Sequence, residues 1–241
     1  MKLSSRRTSR EAEQWIEVDG ISIHLVRKPV RRLSLRVLAP EGTVRLTVPL
    51  TVSNTRARHF AAEHIAWITQ QQRRIQSAPP PPTASTGDRY WFGGSQLTLR
   101  VVERPGPSEV QATCGELVLH ISTGTTTLQR ARALENFFRG QLQSELEHLV
   151  PKYSQLLGLY PASWQVRKMR TRWGSCTHNT KTIRFALALV EVPQNCVEYV
   201  VVHELAHLAH PNHSAAFWGL VSRHLPDWRA ARAHLRTHRT P

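Results

Sequence analysis

Two histidines and a glutamate form the motif HELAH at residues 203 to 207, near the C-terminal end of the chain. His203 and His207 are four residues apart, so on a helix their side chains project from the same face, one turn apart. Two imidazoles in that arrangement can bind one zinc ion, with Glu204 beside the first of them. That carboxylate can act as general base on a zinc-activated water. The pattern predicts a hydrolytic site with one zinc per chain and Glu204 as its catalytic residue.

A third protein ligand is expected, because catalytic zinc usually has three and keeps one open position. Two candidates follow the motif, His210 and His213. An unbroken helix would place His210 on the same face as His203 and His207, but Pro211 disfavours helical geometry at the residue before it. A residue beyond the end of the helix can approach the metal from outside the helix axis. The sequence therefore favours His213, with His210 as the alternative.

The surroundings of the motif narrow the class of enzyme. The spacing from His207 to His213 equals that of metzincins, HExxHxxGxxH, but His210 stands at the glycine position. Neither methionine, Met1 or Met169, follows the motif to make a Met-turn, so a metzincin is not expected. The preceding residues, VEYVVV, are almost wholly apolar and indicate a buried helix rather than a chance match on a surface helix.

The chain carries a strong positive charge. Its formal net charge of +15 and pI near 11.1 favour anionic partners such as nucleic acid or acidic substrates. The 32 basic residues comprise 27 Arg and 5 Lys, dispersed along the chain, a bias that Arg-rich codon usage also produces. Nucleic acid is therefore a possible partner, pending a basic face on the folded protein.

Cysteine usage and hydropathy predict the compartment. Cys114, Cys176 and Cys196 form neither a disulfide framework nor a paired zinc site, which fits a reducing environment. Cys176, in GSC, is interpreted as a small apolar filler rather than a reactive thiol. No apolar segment has the length of a signal peptide or a membrane span. We therefore predict a soluble cytoplasmic protein without a membrane partner.

An α+β fold follows from the hydrophobic patterning, with a β-rich N-terminal region at 15–122 and a mainly helical part at 125–241. The alternating run LSLRVLAPEGTVRLTVP predicts a β-hairpin around Pro-Glu-Gly. One helix is predicted over about 53–76, and the prolines at 79–82 mark an exposed turn or linker. The second part is predicted to contain a helix over about 128–157, strands at WQVRKM and IRFALALV, and helices over about 195–209, 213–224 and 227–238.

Two stretches carry a family resemblance, RKMRTRWGSCTHNTKTIRF at 167–185 and EYVVVHELAHLAHPNHSAAFW at 198–218. Together they resemble the YgjP-like metallopeptidase family, a zincin-like group related to SprT-type proteases. The likeness extends more weakly through RKPVRRLSLRV and the AAEHIAWI helix, and so covers most of the chain.

The resemblance implies a zincin-like catalytic part with a β-hairpin beside the active-site helix. It implies zinc held by His203, His207 and His213, Glu204 as general base, and a peptide or protein substrate. It also implies that the RTRWGSC strand borders the active site.

An edge strand in that position can align an extended peptide by main-chain hydrogen bonds, with Arg172 or Trp173 lining the substrate cleft. Alternatively, Trp173 packs in the core and Arg172 makes a surface ion pair. A donor for the oxyanion is also needed, and Tyr199, His224 and Arg172 are the candidates.

The predicted function is therefore a zinc-dependent metallopeptidase that hydrolyses peptide bonds by metal-activated water. One alternative is a metal-dependent phosphoanhydride hydrolase acting on nucleotides, with scattered arginines contacting phosphate, although no Walker-type glycine loop is present. The other is a nucleic-acid-associated protease or binding protein, whose binding would weaken steeply with salt.

Overall fold

The computed structural model describes residues 12–38, 41–77, 82–169 and 171–238. The chain divides into two compact units, Met1–Pro81 and Pro82–Pro241. N-terminal sheets are followed by a mainly helical part, so the predicted α+β class is confirmed. The proline-rich turn predicted at 79–82 lies outside the described residues, except for Pro82.

A four-stranded sheet forms most of the first unit, in the order β1-β2-β4-β3. Its strands are β1 (Ala12–Val18), β2 (Ile21–Lys28), β3 (Ser34–Leu38) and β4 (Thr43–Pro49). The predicted hairpin is confirmed, because Leu35 lies opposite Leu46 and Val37 opposite Val44. Alternate residues of β4 are buried, as expected of a strand with one face on a core.

Two helices stand where the sequence predicted one over about 53–76: α1 (Asn54–Ala62) and α2 (Ile65–Gln76). Ser53 caps α1 by accepting the backbone N–H of Arg56. The break occurs at His64, whose Nδ1–H donates to the carbonyl of Phe60 at 2.8 Å. The backbone N–H of His64 bonds instead to Ala61, so the i to i−4 ladder is interrupted.

The second unit begins with a four-stranded sheet in the order β5-β6-β8-β7. Its strands are β5 (Arg89–Phe92), β6 (Ser95–Glu103), β7 (Glu109–Ala112) and β8 (Glu116–Ile121). The structure divides the chain after Pro81 rather than at 122–125, where the sequence predicted the boundary. The physical reason is a shared core, since buried residues of β6 and β8 pack against Leu134 of the following helix.

That helix, α3 (Thr127–Leu157), begins with a capping box between Thr126 and Gln129 and ends at Gly158 in the left-handed conformation. Although α3 is 31 residues long, no helix in the described ranges has the length and apolar character to cross a membrane.

A three-stranded sheet follows in the order β10-β11-β9, which places β10 at its edge. Its strands are β9 (Ser163–Arg167), β10 (Gly174–Thr177) and β11 (Thr182–Ala186). The predicted strand at 183–190 ends at Ala186 and continues as the 3-10 helix Leu187–Glu191.

Three helices complete the second unit, α4 (Gln194–Ala206), α5 (Ala215–His224) and α6 (Trp228–Thr237). Helix α4 is central, because it contacts α3, α5, α6 and β10. It is buried over most of its surface, in agreement with the apolar lead-in of the sequence motif. A polar side chain on α4 must therefore be paired or have a function, since isolated burial of a polar group is costly.

The β5–β6 turn fixes the start of α4. The backbone N–H groups of Gly93 and Gly94 donate to the carbonyls of Val190 and Glu191, at 2.8 and 3.0 Å. Gly94 has φ +84, and a Cβ atom on it would lie 2.6 Å from Cγ of Pro193, the residue before α4. Only glycine combines that backbone conformation with such a close approach.

We expect Gly94→Ala to lower the free energy of unfolding more than Gly93→Ala, which is the matched control. Both residues have positive φ, so either substitution costs about 1–2 kcal/mol of backbone strain. Only Gly94 also meets Pro193, and overpacking there adds roughly 1–3 kcal/mol. Urea unfolding of the two variants measures the difference, and equal losses would contradict the close contact.

Candidate metal centre

Three imidazoles converge in the second unit, those of His203, His207 and His213. One ligand atom from each lies within 4.8 Å of the others, and Nε2 of His203 is 3.1 Å from Nε2 of His213. The ring centroids are 4.8 to 4.9 Å apart, so the three rings form a nearly equilateral triangle. His210 is not part of this cluster.

The end of α4 makes this convergence possible. The helix ends at Ala206, with His207 as its C-terminal cap, and residues 207–209 form a turn. This end comes about three residues before the predicted one. Beyond the turn, Ser214 caps α5 by accepting the backbone N–H of Phe217, which fixes the direction of the chain at His213.

Phe217 packs against all three imidazoles. It is fully buried, and its ring centroid lies 4.7 to 5.0 Å from the centroids of all three imidazoles. Trp218 stacks on His213 with centroids 5.5 Å apart and an interplanar angle of 20°. The aromatic pair in HSAAFW is therefore explained by packing against the histidines.

Hydrogen bonds to Nδ1 set the protonation of the His207 ring and the orientation of the His203 ring. Nδ1 of His207 lies 3.1 Å from the carbonyl of His210, and a carbonyl only accepts. Nδ1 of His207 therefore carries the proton, and Nε2 keeps the lone pair that a metal needs. Nδ1 of His203 lies 3.4 Å from the hydroxyl of Tyr199. That contact orients the ring, so Tyr199, a candidate oxyanion donor from the sequence, already has a partner.

The environment of the cluster favours neutral imidazoles. Burial, together with the charges of His207, His213 and Arg232, lowers the pKa of His203 to about 3. Burial also lowers the pKa of His207. Neutral rings with free lone pairs are the form of histidine that binds metal.

Glu204 is buried beside this cluster, with 5% of its surface exposed. Its Oε2 is fully buried and has no hydrogen-bond partner among the described residues. Burial raises the pKa of the Glu204 carboxyl to about 8, although Arg172 acts in the opposite direction. A buried carboxylate oxygen without a partner is costly, which indicates a functional rather than a structural role.

Gly174, the glycine of WGSC, allows Glu204 to occupy this position. A Cβ atom on Gly174 would lie 2.6 Å from Oε1, 2.7 Å from Cγ and 2.8 Å from Cδ of Glu204. The Glu204 side chain of α4 therefore packs directly on the backbone of β10. This role is not visible in the sequence, because a glycine without a positive φ gives no local signal.

An open cavity of about 740 Å³ lies over the three histidines and Glu204. Gly174, Ser175 and Cys176 of the edge strand β10 line one wall. Burial, and then the charge of Glu204, raise the pKa of the Cys176 thiol to about 11, in agreement with a filler rather than a reactive thiol.

Both residues predicted to border the site line the cavity. Arg172 is exposed and has no ion pair within the described residues. Trp173 is half-buried, and its Nε1–H donates to the carbonyl of Leu235 at 3.3 Å. Trp173 therefore combines packing against α6 with a position in the cavity wall. His224, a third oxyanion candidate, is not among the lining residues.

Three basic residues that line the cavity were not predicted from the sequence: His178, Arg232 and Arg236. Nδ1–H of His178 donates to the carbonyl of His207 at 3.3 Å, so its Nε2 remains available. Arg232 and Arg236 are four residues apart on α6 and share one face of that helix. Their spacing is visible in the sequence, but the face of α6 that meets the cavity is decided by tertiary packing.

A family model matches most of the chain. The YgjP-like model, described as a YgjP-like metallopeptidase domain, matches residues 31–238, most of the chain. The chain belongs to the YgjP-like metallopeptidase family, and the resemblance seen in the sequence is confirmed. By family, the protein is a metal-dependent hydrolase of the metallopeptidase class.

Other comparisons add little. No curated protein matches the chain. The crystal structure of the metallopeptidase zymogen of Pyrococcus abyssi abylysin is 22% identical, with 39% of this chain and 97% of that chain covered and a TM-score of 0.36. The metallopeptidase zymogen of Methanocaldococcus jannaschii jannalysin is 20% identical, covers 38% and 91% of the respective chains, and has a TM-score of 0.34. TM-scores this low carry no argument about fold or chemistry.

We expect Gly174→Ala to reduce hydrolysis by displacing Glu204, while metal binding is retained. The added methyl group overlaps three atoms of the Glu204 side chain, which are the three heavy atoms nearest to it. A displaced general base costs roughly 10²- to 10⁴-fold in rate. Metal content and hydrolysis rate, measured on the same preparation, test this expectation.

The matched control is Gly219→Ala, because a Cβ atom on this exposed glycine of α5 meets nothing within 4 Å. This variant should keep full activity and gain about 0.5–1 kcal/mol of stability, since alanine favours helix over glycine. Unchanged hydrolysis in Gly174→Ala would show that the contact with Glu204 does not position the carboxylate for catalysis.

Proposed function

We propose that this protein is a zinc peptidase in which His203, His207 and His213 hold the metal and Glu204 is the general base. The observation that carries the proposal is the meeting of three imidazole ligand atoms within 4.8 Å beside a buried carboxylate with an unpartnered oxygen. Membership of a metallopeptidase family supports peptides or proteins as the substrates.

The donor set fits zinc. Nitrogens bound to tetrahedral zinc at about 2.0–2.1 Å lie about 3.3 Å apart, and the Nε2 atoms of His203 and His213 are 3.1 Å apart. Three protein ligands leave a fourth position open, as in catalytic rather than structural zinc sites. A zinc ion held by these three residues would polarise a carbonyl and would lower the pKa of water to about 7.

Glu204 would move the proton in the reaction. Its carboxylate accepts the proton of the attacking water and returns it to the leaving amine. Burial on β10 supports this role, because the contact with Gly174 restricts the side chain and the apolar surroundings exclude competing solvent. The proton balance is complete, since the proton taken from water ends on the new amino group.

Edge strand β10 would hold the substrate. A peptide in extended conformation can pair with the free edge of β10 through main-chain hydrogen bonds, so its scissile bond lies beside the histidines. This mode of binding needs no particular side chain on the substrate. Side-chain preference must come from other walls of the cavity, including Arg172 and Trp173.

A phosphoanhydride hydrolase is the second candidate, and one observation favours it. Arg172, Arg232 and Arg236 all line the cavity, and arginine binds phosphate well. Nucleic-acid association and a cytoplasmic location remain predictions from the sequence.

We expect Glu204→Gln to retain zinc but to lose roughly 10²- to 10⁴-fold in the hydrolysis of unfolded casein. Elemental analysis measures the zinc content, and the appearance of new amino groups measures the hydrolysis of casein. Glu198→Gln is the matched control, because Glu198 is also on α4, pairs with Lys152 and does not line the cavity. Turnover of ATP instead of casein would favour the phosphoanhydride hydrolase, and equal casein hydrolysis by Glu204→Gln would refute the role of Glu204.

We expect His213→Ala to lose zinc, whereas His210→Ala retains it. The imidazole of His213 belongs to the cluster, but His210 contributes only its backbone carbonyl, which accepts from His207 and is unchanged by substitution. Zinc titration against a chromogenic chelator gives the two affinities. Loss of zinc from His210→Ala but not from His213→Ala would exchange the two assignments.

A further inference from the structure

Arg232 occupies an unusual position in the cavity wall. Its guanidinium carbon lies 4.9 Å from the ring centroid of Trp218 and 5.8 Å from that of Trp228. These two indoles stack on each other with centroids 4.3 Å apart. An arginine stacked on aromatic rings has restricted motion, and its in-plane N–H groups remain free to donate.

This arginine is close to the three histidines. Trp218, over which it lies, stacks on His213. Arg232 also lines the same cavity as all three histidines. A ligand group bound to Arg232 would therefore lie near the position where hydrolysis takes place.

The positive charge of Arg232 is not neutralised within the described part of the chain. No carboxylate there forms an ion pair with it, and Arg172 and Arg236 add like charge to the same cavity. Glu204 is the single acidic residue among those that line the cavity. One carboxylate against three guanidinium groups leaves an excess of positive charge in the cavity, which suits an anionic group on the substrate.

We propose that Arg232 determines specificity by binding a carboxylate of the peptide substrate beside the cleaved bond. The inference rests on the proposed peptidase function and names the substrate class of that site. A planar guanidinium forms two parallel hydrogen bonds with a carboxylate, which a flexible lysine cannot reproduce. The carboxylate comes from an Asp or Glu side chain or from the C-terminus of the peptide.

The chain provides a matched control for Arg232. Arg229 is on the same helix, and its guanidinium carbon lies 4.7 Å from the ring centroid of Trp228. Arg229 shares the aromatic stacking and the charge, but it does not line the cavity. A general effect of charge or of packing on Trp228 would therefore affect both positions.

The first experiment measures hydrolysis of one peptide, taken from a casein site that the wild type cleaves, in four versions. The versions carry Glu or Gln beside the cleaved bond, each with a free or an amidated C-terminus. We expect the wild type to prefer the version with the recognised carboxylate by about ten- to a hundred-fold in kcat/KM. A preference for the two Glu versions identifies a side chain as the source of the carboxylate. A preference for the two versions with a free C-terminus identifies the C-terminus.

Arg232→Gln should abolish this preference, by lowering kcat/KM for the preferred versions about ten- to a hundred-fold to the level of the neutral version. Arg232→Lys should retain part of it, because the charge remains but the planar fork is lost. Arg229→Gln should behave as the wild type. An equal fall for all four versions in Arg232→Gln would overturn the inference and assign Arg232 to the oxyanion instead.

A second experiment separates this inference from the proposed function. Binding of all four versions to zinc-loaded Glu204→Gln, followed by tryptophan fluorescence, does not require hydrolysis. The carboxylate site is supported if a version with the carboxylate binds more tightly than the neutral version and if this difference is absent in Glu204→Gln/Arg232→Gln. Equal binding of all four versions overturns it. Failure of the wild type to cleave any peptide refutes the peptidase function, whichever result the binding assay gives.

Discussion

The contact between the Glu204 carboxylate and the backbone of Gly174 sets the spacing between α4 and β10. Because glycine has no side chain, the helix and the strand approach closely enough for the carboxylate to be buried between them. The free edge of β10 consequently borders the same cavity as the three histidines. A larger residue at this position would move β10 away from Glu204 and the three histidines.

The second unit builds its site from core packing rather than from a separate layer of polar residues. Phe217 is fully buried and also supports all three imidazoles. Trp218 and Trp228 join α5 to α6 and also carry the guanidinium of Arg232. The same side chains therefore stabilise the fold and orient the polar groups of the site.

Structural features were predictable from the sequence where they depend only on residues in one short segment. The hairpin of β3 and β4 followed from alternation, and the end of α4 followed from Pro211, although α4 ends about three residues earlier than expected. The break at His64 was not predictable, because it depends on a ring nitrogen competing for the carbonyl of Phe60. The division after Pro81 also escaped prediction, since β6 and β8 share a core with a helix that follows them in the chain.

The sequence by itself determined the family and indicated which histidines lie together, because HELAH and the histidine beyond Pro211 are separated by only one helical turn and one loop. Only the tertiary structure decided that Gly174 accommodates Glu204 and that Arg232 lies beside the histidines. These residues are about 20 to 30 positions apart in the chain and are brought together by the packing of β10 and α6 around α4. No local pattern encodes such contacts, because they arise from the shapes of surfaces that meet only when the chain is folded.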